Sequence, residues 1–193
     1  MDYSSDVDLL VCLSEPSDRY DSSKYSIYNY ERIQALWEEG NPFSWHLHLE
    51  SKPIYSSDGT NFISGLGEPS EYENAAKDCR KFMLLFKESY HELIYSSNSA
   101  VFHLSCMFLA SRNFATCHSL KIGKPIFSRL APLLLEYKLP LAQEDFDLFV
   151  RARILSTRGY GNRLSNKEII RAISVAPAII DWMEYLLPEG ESA

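Results

Sequence analysis

Residues 5–11 of the 193-residue chain read SDVDLLV, which places two acidic side chains two positions apart in an apolar run typical of a buried β-strand. Because side chains alternate along a strand, Asp6 and Asp8 project from one face, and Val7, Leu9 and Val11 project from the other. Two carboxylates this close repel each other unless a cation relieves them. The spacing therefore predicts a site for Mg²⁺, which prefers hard oxygen ligands. The alternative is that the aspartates only begin a turn.

The same stretch resembles the second half of the signature of the DNA polymerase beta-like nucleotidyltransferases, in particular their minimal bacterial and archaeal branch. The resemblance implies that Asp6 and Asp8 hold magnesium or manganese ions, which carry a nucleoside triphosphate beside Ser5 and activate an attacking hydroxyl. The implied reaction transfers a nucleotidyl group from the nucleoside triphosphate to an acceptor and releases pyrophosphate. The acceptor could be a small molecule, a protein or RNA.

In that family a Gly-Ser pair at a helix start precedes the aspartates by about ten residues and cradles the triphosphate with backbone amides. Only four residues precede Ser5 here. We therefore expect the family's first strand and helix to be missing at the amino-terminal end. The resemblance thus implies a truncated or degenerate member, in which the absence of the Gly-Ser motif can abolish activity.

The composition predicts a folded, acidic protein. With 46% hydrophobic residues the chain can bury a real core, and its formal charge of −7 argues against a surface built to bind DNA or an anionic membrane. No apolar run approaches the roughly 20 residues of a membrane span, and no signal peptide is evident. The four cysteines show no C-x-x-C spacing, which favours reduced thiols. We expect a cytoplasmic protein without a membrane or DNA partner.

A helix over residues 24–39 and a strand over residues 43–54 are predicted to complete a β-α-β unit. One face of the second strand is polar: His46, His48 and Glu50. Consecutive parallel strands usually lie side by side, so this face is expected to join the two aspartates. The resemblance implies a third carboxylate there, and Glu50 is the available acid. Two alternatives are an exposed polar face and a zinc site built from the two histidines and Glu50.

Residues 56–69 are rich in Ser, Gly and Asp, and the segment 59–69 is predicted to link a partial nucleotidyltransferase-like segment, 1–58, to a helical bundle, 70–188. Four long amphipathic helices are predicted over residues 70–93, 99–120, 144–157 and 165–187. Capping boxes are expected at Ser70 with Glu73 and at Ser165 with Glu168. The predicted class is α+β: a small partial nucleotidyltransferase sheet with a helix, followed by an α-helical bundle of the kind that binds the acceptor.

Arg112 and Asn113, followed at a short distance by His118, resemble the pattern of HEPN domains, helical bundles that commonly accompany minimal nucleotidyltransferases. In ribonuclease members the histidine moves protons and the arginine stabilises phosphate charge. The resemblance gives two alternatives to nucleotidyl transfer: a HEPN-type ribonuclease, or a non-catalytic partner of the toxin–antitoxin type. A homodimer is compatible with either. A snorkelling arginine beside a half-buried histidine would need no function at all.

A basic cluster precedes the last predicted helix: Arg151, Arg153 and Arg158. Arg151 is predicted to receive phosphates of the nucleotide. The alternative is that these arginines pair with acidic side chains on a solvated helix face.

Overall fold

The computed structural model describes residues 8–15, 17–96 and 99–187. The strands in that part of the chain are β1 (Leu10–Leu13) and β2 (Ser26–Asn29). The helices described there are α1 (Tyr30–Glu38), α2 (Pro42–Glu50), α3 (Phe62–Gly65), α4 (Ala75–Tyr95), α5 (Ala100–Lys121), α6 (Ala131–Leu134), α7 (Gln143–Arg158) and α8 (Asn166–Leu186). The chain is mostly helical with a small two-stranded parallel sheet, which confirms the α+β class. It divides into two compact units, Met1–Glu73 and Asn74–Ala193.

In the first unit β1 and β2 pair in parallel, with Leu10 opposite Ser26 and Leu13 opposite Asn29. The pairing begins one residue earlier, because the backbone N–H of Ser26 donates to the carbonyl of Leu9 at 2.9 Å. No helix lies in the described part of the connection between the strands. The order is therefore β-β-α, and the predicted β-α-β order is wrong.

β2 occupies the first part of the helix predicted over residues 24–39. The reason is local: the Asn29 side chain accepts a hydrogen bond from the Arg32 backbone at 2.8 Å and caps α1 in an extended conformation. A capped helix cannot extend backwards through its cap. The residues before Asn29, Ile27 and Tyr28, are types that favour strands.

α2 occupies the stretch predicted as a strand over residues 43–54, so that prediction is wrong. The Asn41 side chain accepts from the Phe43 backbone at 2.9 Å, and Pro42 stands at the start of the helix, where no N–H is needed. Burial follows the helical period: Leu47 is 9% exposed, whereas Leu49, which strand alternation would bury with it, is 49% exposed.

The core of the first unit forms around α1 and α2 and consists of Ile33, Leu36, Trp37 and Leu47. The predicted linker 59–69 contains α3, and its apolar side chains pack on this core. The indole of Trp37 also donates to the carbonyl of Gly67 at 3.0 Å. These contacts explain why residues 59–69 fold as part of the first unit.

α4 begins at Ala75, so the capping box predicted at Ser70 and Glu73 is wrong. The cap residue of α4 is Asn74, which makes no side-chain hydrogen bond to the helix. Ser70 has tertiary partners instead: its N–H donates to the Trp37 carbonyl at 2.9 Å, and its carbonyl accepts from the indole of Trp45 at 3.1 Å.

In the second unit the largely buried α5 packs against α4 and α7. Large side chains from four helices are fully buried there: Phe86, Leu104, Met107, Phe114, Phe146, Phe149, Ile179 and Met183. The predicted helices 99–120, 144–157 and 165–187 are confirmed to within one residue, and the capping box of Ser165 with Glu168 is present. Among the described helices, none combines the length and the apolar character needed to cross a bilayer.

Candidate functional site

The predicted metal site begins just before β1. Ser5 and Asp6 lie outside the described residues. Asp8 precedes β1 rather than lying within it, and it is exposed. Its neighbour Leu9 accepts the first hydrogen bond of the parallel pair, from Ser26. The sheet therefore fixes the backbone beside Asp8 while the carboxylate stays open to solvent.

The chemistry of these donors fits a metal that arrives with its substrate. Within residues 8–15, 17–96 and 99–187, no group of three or more His, Cys, Asp or Glu is arranged to hold a metal ion. Mg²⁺ usually takes one or two carboxylates, several waters and the phosphates of a nucleotide, rather than an all-protein cage. Asp6 and the exposed Asp8 are two carboxylates, which is the number that such a Mg²⁺ ion takes from a protein.

Glu50 and the two histidines lie on α2, so the prediction that they share one sheet face with the aspartates is wrong. His46 and Glu50 are one helical turn apart, with 3.0 Å between Nε2 and Oε2. His48 projects elsewhere, and its ring meets that of Trp45 edge-on at 6.1 Å. The helix thus keeps His48 apart from the His46–Glu50 pair, so the three side chains that a zinc site would require do not converge. Glu50 keeps no structural reason to act as the third carboxylate.

Arg112 forms a hydrogen bond that holds the segment after α5 against that helix. Its guanidinium donates to the carbonyl of Phe127 at 2.8 Å and to the side chain of Asn113 at 3.0 Å. One turn further along, the Thr116 hydroxyl donates to the carbonyl of Ile126 at 3.2 Å. The half-buried Arg112 therefore binds the backbone of the segment that follows α5.

Arg112 and His118 do not share a helix face. Six residues of α-helix separate their Cα atoms by about 9 Å along the axis and about 120° around it. Since the guanidinium is also held by Phe127, the structure does not bring this arginine and this histidine into one site.

His118 lines a cleft of the second unit with a volume of about 500 Å³, which we call the His118 cleft. Its lining includes His118, Ile122, Lys124, Glu136, Tyr137 and Tyr185. These residues come from α5, from the segment after it, from the segment after α6 and from the end of α8. Sequence reasoning missed this cleft because no local pattern joins segments so far apart in the chain.

The wall of the His118 cleft is held in place by specific contacts. The indole of Trp182 donates to the carbonyl of Tyr137 at 2.8 Å, and the rings of Tyr137 and Tyr185 meet edge-on at 5.9 Å. Lys124 and Glu136 form an exposed ion pair at 2.8 Å. The cleft thus combines aromatic surface with a pair of opposite charges that cancel.

The His118 imidazole is only partly satisfied. Its Nδ1 atom is buried and has no hydrogen-bond partner. Burial lowers the pKa of His118 below its usual value, and the positive charge of Lys121 lowers it further. Both effects favour the neutral ring, and the half-buried side chain leaves one polar atom unpaired at a cost of about 1–3 kcal/mol.

Arg151 makes contacts within the protein through the two terminal nitrogens of its guanidinium, whereas its Nε is buried without a hydrogen-bond partner. It donates to Glu168 at 2.6 Å and to the backbone carbonyls of Asn162 and Arg163 at 3.3 and 3.1 Å. These bonds tie α7 to the start of α8. The geometry supports the alternative in which Arg151 pairs with an acidic side chain, and it leaves the predicted phosphate contact without structural support.

The Arg151–Glu168 pair predicts a pH-dependent stability. Hydrogen bonds from Arg151 and then from the backbone and hydroxyl of Ser165 hold the pKa of Glu168 at about 2, below the ordinary 4.5. A lowered folded-state pKa stabilises the fold above about pH 4.5, and this contribution is lost as the pH falls towards 2. Glu168→Gln is therefore expected to lower the free energy of unfolding at pH 7 and to have less effect at pH 3.

Urea unfolding at the two pH values measures this difference, with Glu144→Gln as the control because Glu144 is an exposed acid in the first turn of α7. An equal loss of stability from Glu168→Gln at pH 7 and pH 3 would show that the carboxylate charge does not stabilise the junction.

Comparison of the chain with family models, with curated proteins and with solved structures gives no match.

Proposed function

We propose that this chain binds a magnesium nucleoside triphosphate through Asp6 and Asp8 and transfers its nucleotidyl group to an acceptor, as the resemblance of residues 5–11 implies. The observation that carries the proposal is the placement of Asp8. Its carboxylate is exposed, and the backbone next to it is fixed by the hydrogen bond from Ser26 to Leu9. A rigid backbone with a free carboxylate suits a ligand of a hydrated cation, which must bind without displacing a protein partner.

Asp6 and Asp8 would hold the cation, and Ser5 would lie beside the nucleotide. When bound, magnesium neutralises phosphate oxygens and lowers the pKa of an acceptor hydroxyl. The role of the two carboxylates is to orient the nucleotide so that its α-phosphorus faces the acceptor. Glu50 has no part in the proposal because α2 removes it from the sheet.

We assign the acceptor to the second unit, whose four long helices we interpret as a helical bundle. The support is the shared core of α4, α5, α7 and α8 and the presence of a cleft within this unit. We also place the protein in a reducing compartment such as the cytoplasm. The support is that all four cysteines have free thiols: Cys12, Cys79, Cys106 and Cys117.

Neutralising the aspartates is expected to abolish nucleotide binding. Calorimetric titration of the 193-residue chain with a non-hydrolysable ATP analogue and MgCl₂ should give saturable binding. Asp8→Asn and the double variant with Asp6→Asn should weaken this binding at least about 100-fold. Even mutation of a residue that only hydrogen-bonds to a metal ligand lowers metal affinity 10- to 100-fold. Asp18→Asn is the matched control: it removes the same charge from an exposed position beyond β1 and should leave the affinity unchanged.

Equal affinities for the chain and its Asp8→Asn variant would overturn the proposal, and so would the absence of any magnesium-dependent binding. RNA cleavage that survives the aspartate variants and disappears in His118→Ala would instead support the HEPN-type ribonuclease. A second assay, with ATP labelled at its α-phosphorus, follows the label into an acceptor and should show the same dependence on Asp8.

A further inference from the structure

We propose that the His118 cleft is a binding site for a small, uncharged, planar aromatic compound that carries an N–H or O–H group on its ring. This site lies wholly within the second unit, and the proposal does not depend on nucleotidyl transfer. It rests on the shape of the cleft, on its aromatic wall, on its balanced charge and on the histidine in its lining.

The size and walls of the cleft suit a flat ligand. Its volume of about 500 Å³ lies within the range of small-molecule sites. Tyr185 is 72% exposed and Tyr137 is 59% exposed, so both rings present large free surfaces. The Tyr137 backbone is anchored by the indole of Trp182, which makes that side of the cleft a preformed surface. An aromatic ligand can stack on such tyrosines without ordering a flexible segment.

The charge pattern gives a phosphate or carboxylate no net positive charge to bind. Lys124 is paired with Glu136 at 2.8 Å, so an anion would have to compete with a carboxylate already bound to this ammonium group. The aliphatic part of the lining has neither a hydrogen-bond donor nor a positive charge for an anion; it consists of Ile122, Leu135 and Leu186. An uncharged ring loses little water on entering this environment, whereas an ion loses its hydration shell. The ligand that fits is therefore neutral.

His118 supplies the polar recognition. Its Nδ1 is covered by protein, so a ligand in the cleft would meet the rest of the side chain, which belongs to the lining. A neutral imidazole in this position can accept from or donate to a ligand edge, depending on its tautomer. A structural role does not explain the histidine, because Nδ1 bonds to nothing and an aliphatic side chain would pack there without an unpaired buried atom.

Benzimidazole is the probe for this site, because its ring edge carries both an N–H donor and a nitrogen acceptor and thus suits either tautomer of His118. Titration of the isotopically labelled 193-residue chain, followed by NMR, should give saturable shifts for residues of the cleft, with Kd of the order of 1 mM for a ligand of this size. Indene has the same bicyclic shape without a polar atom. It should bind about 5-fold more weakly, the equivalent of one hydrogen bond.

Two variants separate recognition from folding. His118→Leu should weaken benzimidazole binding about 5-fold, remove the preference over indene and leave the unfolding midpoint unchanged or raised, since it removes the unpaired nitrogen. Tyr185→Ala changes an exposed ring and should weaken both probes severalfold with the fold intact. His91→Leu is the matched control, because His91 is a solvent-exposed histidine of α4 outside the cleft lining.

Several outcomes would overturn the proposal: shifts that map outside the cleft, shifts that do not saturate, or equal binding of benzimidazole and indene by the wild-type chain. Unchanged benzimidazole binding in both His118→Leu and Tyr185→Ala would also overturn the proposal. Loss of magnesium-dependent nucleotide binding in the aspartate variants would leave these results unaffected, so the two proposals fail separately.

Discussion

Replacing Gly40 with alanine is expected to destabilise the first unit by about 3 kcal/mol. Gly40 ends α1 with φ +60°, a left-handed conformation that costs a residue with a side chain about 1 kcal/mol. An added Cβ would also overlap the backbone carbonyl oxygens of Ser70 and Glu71, which cannot move aside as a side chain would. Overpacking of this kind costs about another 2 kcal/mol. Because the Ser70 backbone is hydrogen-bonded to the Trp37 carbonyl and to the Trp45 indole, the strain would reach the core of the first unit.

Hydrogen exchange of amides in α1 and α2 measures the effect, and Gly59→Ala supplies the matched control. Gly59 also has a positive φ, +76°, but an added Cβ would meet no atom within 4 Å. Its substitution should therefore cost only about 1 kcal/mol, the conformational part. Equal losses in the two variants would show that the contact of Gly40 with residues 70–71 does not contribute.

Truncating Phe114 to alanine should destabilise the second unit by about 4 kcal/mol, because removing a buried aromatic ring leaves a cavity as well as losing its transfer free energy. The side chain is fully buried in the middle of α5, and its ring centroid lies 5.6 Å from that of Trp182. Since Trp182 holds the Tyr137 carbonyl, the wall of the His118 cleft should loosen too, and benzimidazole should bind more weakly.

Urea unfolding followed by circular dichroism compares this variant with Phe102→Ala. Phe102 lies on the same helix but is 58% exposed, so its truncation should change stability by no more than about 0.5 kcal/mol. Similar losses for the two phenylalanines would contradict the assignment of Phe114 to the core.

Local signals explain which elements can be predicted from the sequence. The start of α8 is predictable because Ser165 and Glu168 satisfy each other across one helical turn, with no need of the rest of the fold. The same pattern at Ser70 is misleading, because Trp37 and Trp45 bind the Ser70 backbone. Tertiary contacts of this kind leave no trace in a local sequence pattern.

The stretch after Gly40 shows two local signals in competition. Alternating polar and apolar residues favour a strand, whereas Asn41 followed by Pro42 is typical of a helix start. The helix forms because the cap bond to Phe43 is made and Leu47 is buried. Helical spacing can mimic alternation over a few residues, so a cap signal deserves more weight than a short period-two pattern.

The candidate sites also differ in how far a local sequence pattern can predict them. The prediction for Asp8 rests on its spacing to Asp6, a relation within one short stretch. The pairing of Arg112 with His118 rests on spacing as well, but helix geometry and the Phe127 carbonyl separate the two side chains. The His118 cleft depends on distant segments, whose proximity follows only from the packing of α5 and α8.

The most direct test of the central claim is to locate a bound cation by paramagnetic broadening. Mn²⁺ added to the labelled chain in the presence of ATP should broaden the amide signals of Leu9, Leu10 and Ser26, which lie next to Asp8 in the sheet. Asp8→Asn should abolish this broadening, and Asp18→Asn should preserve it. Broadening that appears elsewhere, or that persists unchanged in Asp8→Asn, would contradict a nucleotide-bound metal at the start of β1.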